Sequence, residues 1–230
     1  MFDFQGYEWV FWEGLRVTLA VGLCAAVVAV SLGMLGAWGK LSHAPIARGI
    51  ANAYTTIVRG VPELVLILLV YYGLTTVLQD LASWITGEEV LVDINPFVAG
   101  VITIGVIYGA FATEVFRGAV LAVPKGQIEA AKATGMSRLL VARRVLLPQM
   151  WRFALPGLGN VWLVLIKATA LMSVVQLAEL MRMADIAARA VRQPFTFYLA
   201  ASFIYLGITI VSMAVQSRAE RWANRGIRRV

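Results

Sequence analysis

Five apolar runs, each long enough to cross a bilayer, dominate this chain: residues 15–38, 60–79, 97–116, 153–175 and 196–216. The hydrocarbon core of a membrane takes about 20 mostly apolar residues to span as a helix. Backbone polar groups find no water there, so they must pair within their own segment or around a closed barrel. The runs lack the period-two alternation of barrel strands, which leaves helices. Composition agrees. With 60% hydrophobic residues, 14% charged residues and a mean hydropathy of +0.78, the 230 residues carry more apolar side chain than a soluble domain of this length can bury. The expected fold class is an all-α integral membrane protein with about five transmembrane helices. No internal repeat or linker divides residues 1–230, so a single domain is expected.

Trp9, Trp12, Trp38, Trp84, Trp151 and Trp222 fall near the ends of the runs, as interfacial anchors do. Most of the basic residues fall in alternate connections. Lys40, Arg48 and Arg59 follow the first run; Arg117, Lys125, Lys132, Arg138, Arg143, Arg144 and Arg152 follow the third; Arg218, Arg221, Arg225, Arg228 and Arg229 close the chain. The connection at 80–96 holds Asp80, Glu88, Glu89 and Asp93 with no Lys or Arg. The positive-inside rule then predicts an outside N-terminus and a cytoplasmic C-terminus. The net charge of +7 thereby reflects topology, and no nucleic-acid partner is expected. The acidic, aromatic start MFDFQGYEWVFWEGL has no basic n-region and reads as an uncleaved first segment. Cys24, the single cysteine, reads as a packing residue. Residues 176–195 mix Glu179, Arg182, Asp185, Arg189 and Arg192 at near-helical spacing, which predicts a short external helix with a self-paired charged face. The small-residue pairs Gly22/Ala26, Ala29/Gly33 and Gly105/Gly109 predict close helix packing, within the chain or against a partner.

Residues 127–149, QIEAAKATGMSRLLVARRVLLPQ, interrupt this pattern. Residues 127–133 favour a helix, Gly135 is a C-terminal stop, and Ser137 caps a second helical segment. Pro148 and Pro156 punctuate the entry to the fourth run. One reading is an amphipathic connector lying on anionic lipid. The Ala130-Ala131 pair and Gly135 favour a close-contact face for another protein, because a lipid-surface helix would carry larger apolar residues there.

Glu-Ala-Ala, a glycine four residues after the second alanine, and then Leu-Leu-Pro resemble the EAA loop of ABC-importer permeases. RGVPELVLILLVYYG (59–73), INPFVAGVITIGVIYGAFATEVFRGAVLAVPKGQIEAAKATG (94–135), RFALPGLGN (152–160) and LIKATALMSVVQLAEL (165–180) resemble the polar amino acid branch. The likeness covers nearly the whole chain and is greatest to the Q-type subunits of histidine, lysine/arginine/ornithine and octopine/nopaline importers. It implies a type I ABC-importer permease fold, with the loop at about 118–150 forming a cytoplasmic coupling helix. Glu129, Ala130, Ala131 and Gly135 carry over as the residues coupling it to an ATPase. It further implies an M-type permease partner, two ATPase subunits that bind ATP and Mg, and a periplasmic substrate-binding protein. No cofactor is implied for this chain itself. The implied function is carriage of a polar, cationic amino acid (histidine, lysine, arginine, ornithine) or an opine across the bacterial inner membrane. Arg59-Gly60-Val61-Pro62 matches the family too and is expected at a cytoplasmic-side corner.

The chain has no G-x-x-x-x-G-K-[ST] loop, so energy is expected from another chain. GAWGKL (36–41) lacks the flanking residues that such a loop needs. With His43 the only histidine, zinc and triad hydrolase motifs are missing as well, and the chain is expected not to be an enzyme. The alternative function is a passive channel or proton-coupled carrier not driven by ATP. Candidate pathway residues are Glu114, Thr169, Ser173, Gln176 and Glu179, since ionisable and polar groups at membrane depth usually face a pathway or a partner. Glu114 fits an interfacial ion pair with Arg117 better still, Thr169 and Ser173 equally fit helix–helix hydrogen bonds, and Glu179 equally fits a solvated charge. Glu63, one turn after Arg59, has the same ambiguity, and Lys167 lies along the fourth run.

Overall fold

The computed structural model describes residues 4–89 and 94–225. Asp93 in the acidic connection, Arg228 and Arg229 in the basic tail, and the first three residues lie outside that range. The described chain folds into eight helices: α1 (Trp9–Leu41), α2 (Pro45–Gly60), α3 (Glu63–Thr86), α4 (Pro96–Leu121), α5 (Lys125–Ala133), α6 (Arg138–Val175), α7 (Leu180–Val191) and α8 (Pro194–Ala223). Five of them, α1, α3, α4, α6 and α8, are long and apolar enough to cross a membrane. Each overlaps a predicted span, but α6 begins 15 residues before its predicted start and α3 begins three residues after its own. Helices α1, α4 and α8 run one way, α3 and α6 the other. Lys40, Leu121, Trp151 and Trp222 thus gather at one basic end of the bundle.

The core forms where α1 meets α4. Val21, Ala25 and Ala29 of α1 share one buried cluster with Ile104, Ile107 and Tyr108 of α4, Ile67 of α3 and Leu165 and Met172 of α6. In lipid, helices gain nothing from hiding apolar surface, so association rests on close contact between small residues. A Cβ on Gly33 would approach the Ala112 Cβ to 2.6 Å, and one on Gly105 the Val28 side chain to 2.6 Å. The predicted small-residue pairs therefore pack within this chain. By contrast α3 buries only Ile67, and α8 only Phe197 and Ala201.

Two features differ from the sequence reading. The segment after the first span is a helix, α2, and it climbs into the bundle: the Tyr54 hydroxyl donates to the Val106 carbonyl of α4 at 2.5 Å. The Arg59-Gly60-Val61-Pro62 corner consequently lies beside Tyr108 and Phe111, about 15 Å along α4 from its basic end. The sequence reading placed it at the basic face. Pro148 and Pro156 also do not break the chain's entry to the fourth span, since α6 is continuous from Arg138 to Val175. A π-helical turn at Ala142–Leu146 directly precedes Pro148 and widens the backbone where the proline ring would otherwise meet the preceding turn.

Of the seven tryptophans, five sit near helix ends and Trp151 lies on α6 at the level of the basic end. Trp162 is the exception, and its indole N–H donates to the Ser212 hydroxyl at 2.9 Å, joining α6 to α8. At Gly14 a Cβ would meet the Leu180 Cα at 2.6 Å and its N at 3.0 Å, and backbone atoms cannot step aside. Gly14→Ala is expected to cost about 1–3 kcal/mol and to lower the melting temperature of the detergent-solubilised protein by about 2–10 °C. Gly207→Ala, with nothing within 4 Å, is expected to leave it equal or higher. Thermal size-exclusion profiles of the two variants would check this.

Candidate coupling surface and membrane-embedded polar groups

Helix α5 and the first turns of α6 form a hairpin outside the spans. Gly135 adopts φ +81°, which only glycine enters without strain, and closes α5 with paired hydrogen bonds: Met136 N–H to the Ala131 carbonyl (3.2 Å) and Gly135 N–H to that of Lys132 (3.0 Å). Ser137 caps the next helix, its hydroxyl accepting from Leu140 N–H at 3.4 Å. Of the predicted coupling residues, Glu129 and Ala130 face outward with Gly126 and Ala133, Gly135 forms the corner, and Ala131 is buried. Ala131 therefore holds the hairpin together, and the smooth outer face is built by its neighbours.

At the opposite end a polar knot joins four elements. Glu179 is fully buried as the N-cap of α7, accepting from Met181 N–H (2.8 Å), Arg182 N–H (2.7 Å) and the Tyr205 hydroxyl (3.0 Å). Leu180 N–H donates to the buried Thr18 hydroxyl at 3.0 Å. Thr169, also fully buried, donates to the Ile166 carbonyl at 2.7 Å and lies beside the Tyr205 hydroxyl. Glu179 is thus not a solvated charge. Asp185 carries the expected external ion pairs, with Arg189 at 3.0 Å and Arg182 at 3.9 Å. The Tyr198 hydroxyl and then Arg189 hold its carboxyl below the usual range.

Glu114 sits elsewhere. Its carboxylate accepts from Lys40 of α1 and from Arg117 at 2.8 Å, tying α1 to α4 at the basic end. Lys40 and Thr18 are about 33 Å apart along α1, so Glu114 and Glu179 cannot belong to one solute site. Both Glu63 oxygens accept from the Tyr108 hydroxyl at 3.0 Å, and the Arg59 guanidinium lies 5.2 Å from the Phe111 ring centre. Ser173 is half-buried and Gln176 exposed where α6 ends. Gln176 takes the left-handed φ of +64° that glycine usually supplies. Lys167 and Asn160 are exposed along the middle of α6, and Lys167 has no ion-pair partner among the described residues. An open groove of about 840 Å³ between α1, α6 and α8 is lined by Leu19, Leu23, Leu158, Trp162 and Val211, a lining unsuited to a polar solute. Sequence reasoning had paired Glu114 with Arg117 but missed Lys40, Thr18 and Tyr205, because contacts between distant helices leave no local spacing.

Residues 29–225 match the family described as "Binding-protein-dependent transport system inner membrane component". The chain belongs to this family. The nopaline transport system permease protein NocQ of Agrobacterium fabrum is 50% identical over 216 residues, covering 94% of this chain and 92% of that protein. The histidine/lysine/arginine/ornithine transport system permease protein HisQ of Escherichia coli is 44% identical over 224 residues, covering 97% of each. A crystal structure of an amino acid ABC transporter with histidines superposes with a TM-score of 0.81 at 32% identity, covering 96% of this chain and 99% of that one. An inward-facing structure of the MetNI methionine ABC transporter shares the fold, with a TM-score of 0.68 at 20% identity, over 94% of this chain and 97% of that one. The permease is accordingly a non-catalytic subunit without a cofactor of its own. It works in an ABC importer alongside ATPase and substrate-binding partners, and the ATPase subunits hydrolyse the ATP.

The Glu179 knot generates a prediction. Glu179→Ala removes a cap and takes from the Tyr205 hydroxyl its carboxylate acceptor, an expected loss of about 2–4 kcal/mol. Glu179→Gln keeps a capping oxygen and is expected to lose less. Both are expected to keep the solute preference of the intact importer. A changed preference among competing solutes, with stability unaltered, would show that Glu179 reads the solute.

Proposed function

We propose that the permease carries a polar, cationic amino acid, or an opine derived from one, inward across the bacterial inner membrane. Its relatives are named for nopaline, octopine, arginine and histidine/lysine/arginine/ornithine, and these solutes all pair an amino acid carboxylate with a basic side chain or its derivative. The basic end of the bundle is cytoplasmic and the N-terminus periplasmic, in keeping with the positive-inside rule. Residues 1–230 act as one permease domain, with the loop at about 118–150 as its coupling segment. A second, M-type permease packs against the open faces of α3 and α8. Two ATPase subunits, holding ATP and Mg, receive the outer face of α5, where Glu129 and Ala130 make the contact that Ala131 and Gly135 shape.

One observation carries this reading. The helix that packs against α5 is the same continuous helix that reaches Ser173 and Gln176. Helix α6 spans 38 residues, about 57 Å, so a push on the hairpin moves the far end without crossing a loop. Among the candidate pathway residues, Ser173 and Gln176 are the ones left open to meet a solute. Thr169, Glu179 and Glu114 serve as fixed joints that let the helices move as bodies.

Reconstitution with the partner subunits in vesicles tests the proposal. Labelled arginine or histidine uptake is expected to require ATP and the binding protein. Glu129→Ala, or Ala130→Trp on the exposed face, is expected to lower uptake at least about 10-fold while the subunits still co-purify. Uptake that proceeds without ATP, or that neither variant changes, would overturn the coupling assignment.

A further inference from the structure

The first turn of α6 presents a leucine that nothing in this chain covers. Leu139 is 79% exposed, and from Val123 to Leu146 it is the sole large apolar side chain in the open. Its neighbour Val141 is buried, while Leu139 faces away. A scattered exposed leucine is ordinary on a protein surface. This one is set apart by its place, its order and its surroundings.

Its place excludes lipid. Trp151 packs edge-on against Phe116 with ring centres 5.5 Å apart, and Arg152 donates to Asn224 at 2.9 Å, next to the Lys40–Glu114–Arg117 group. Those residues mark the membrane boundary at the basic end. Leu139 lies about 18 Å further along α6, and the headgroup layer is only about 5–8 Å deep. Even a strongly tilted helix leaves it in water. Its order comes from the Ser137 cap and the Gly135 corner, which fix the backbone on either side of Met136.

Its surroundings describe the partner. Lys125, Lys132, Arg138, Arg143 and Arg144 are exposed and have no ion-pair partner among the described residues, and Glu129 is the single acid between 118 and 150. Arg143 is one helical turn from Leu139, on the same face. The small residues Gly126, Ala130 and Ala133 lie across the corner and allow close approach.

We infer that Leu139 is the hydrophobic anchor by which the permease seats in its ATPase subunit, entering an apolar socket whose acidic rim receives Arg138 and Arg143. The inference rests on the reading of α5 as the ATPase-docking helix and adds the residue that supplies most of the grip. Binding energy concentrates in a few fully desolvated side chains ringed by contacts that exclude water, and rim charges set the encounter and the register.

The test uses the assembled importer in membranes, with this chain's Cys24→Ser in every variant, a single cysteine introduced as Ala130→Cys or as Leu139→Cys, and the label read on this chain after the subunits are separated. Each is reacted with a water-soluble maleimide before and after the ATPase subunits are stripped away. Leu139→Cys is expected to react at least about 10-fold faster once they are gone. If Ala130→Cys is protected and Leu139→Cys is not, the anchor is overturned and α5 docking stands. If neither is protected, both readings fall. Slow labelling of Leu139→Cys with and without the ATPase would place the residue in lipid and overturn the anchor.

A second measurement avoids the label. In the unlabelled importer, Leu139→Ala is expected to weaken ATPase retention about 10–30-fold and Leu139→Met less than about 3-fold. Retention of the Leu139→Ala importer equal to that of the parent would overturn the inference.

Discussion

The close approach of α1 to α4 is the contact on which the other helices are arranged. Water drives a soluble core together, whereas helices already in lipid gain chiefly from dispersion and so must touch along their length. Val21, Ala25, Ala29 and Gly33 provide that line on α1, and Gly105, Gly109 and Ala112 on α4. Because the two helices run parallel and nearly in contact, Lys40 meets Glu114 at one end, and Thr18 is held beneath the start of α7 at the other. Helix α6 lies against both through Leu165, Ile166 and Met172. Helices α3 and α8 are appended to this centre and bury little.

A low-dielectric solvent also decides how polar groups are used. An unpaired buried group costs several kcal/mol there, and no buried side-chain nitrogen or oxygen among the described residues lacks a partner. Glu179, Thr18, Thr169 and Tyr205 satisfy one another, and Glu63 is met by Tyr108. These groups behave as joints between helices. Lys167, Asn160 and Gln176 are different: they are exposed at or near membrane depth, where an open polar group must face water or a second subunit. The division separates what holds the permease together from what it offers to a partner or a solute.

The spans were legible because twenty apolar residues in a row admit few other structures, and the α5–α6 hairpin because a glycine corner and a serine cap are local signals. Helix α2 was not, since PIARGIANAYTTIVRG is too polar to read as a span and its burial depends on Tyr54 reaching Val106. The terminations at Gln176 and Arg192 were also hidden. Both take a left-handed conformation that sequence reading assigns to glycine, and both are held there by helix-closing hydrogen bonds, Leu177 N–H to Met172 O and Gln193 N–H to Ala188 O. For Glu179 the charge was legible, but its cap and its Tyr205 contact were not, since Tyr205 lies 26 residues further along the chain.

The continuity of α6 has a mechanical consequence. A break at Pro148 would have left the α5–α6 hairpin hinged at the basic end, free to move without disturbing the spans. The π-helical turn at Ala142–Leu146 instead absorbs the proline and keeps one rod from Arg138 to Val175. Its Arg152–Asn224 and Trp162–Ser212 bonds tie that rod to α8, and Leu165 and Ile166 seat it against the centre. Under the proposed coupling, movement at Leu139 is passed on as rotation or tilt of α6 with α8 against the α1–α4 pair. The far end of the same helix, a 3-10 stretch at Thr169–Val175, is where Gln176 turns the chain, so under the proposed coupling a displacement at the basic face reaches the open polar groups through one continuous helix.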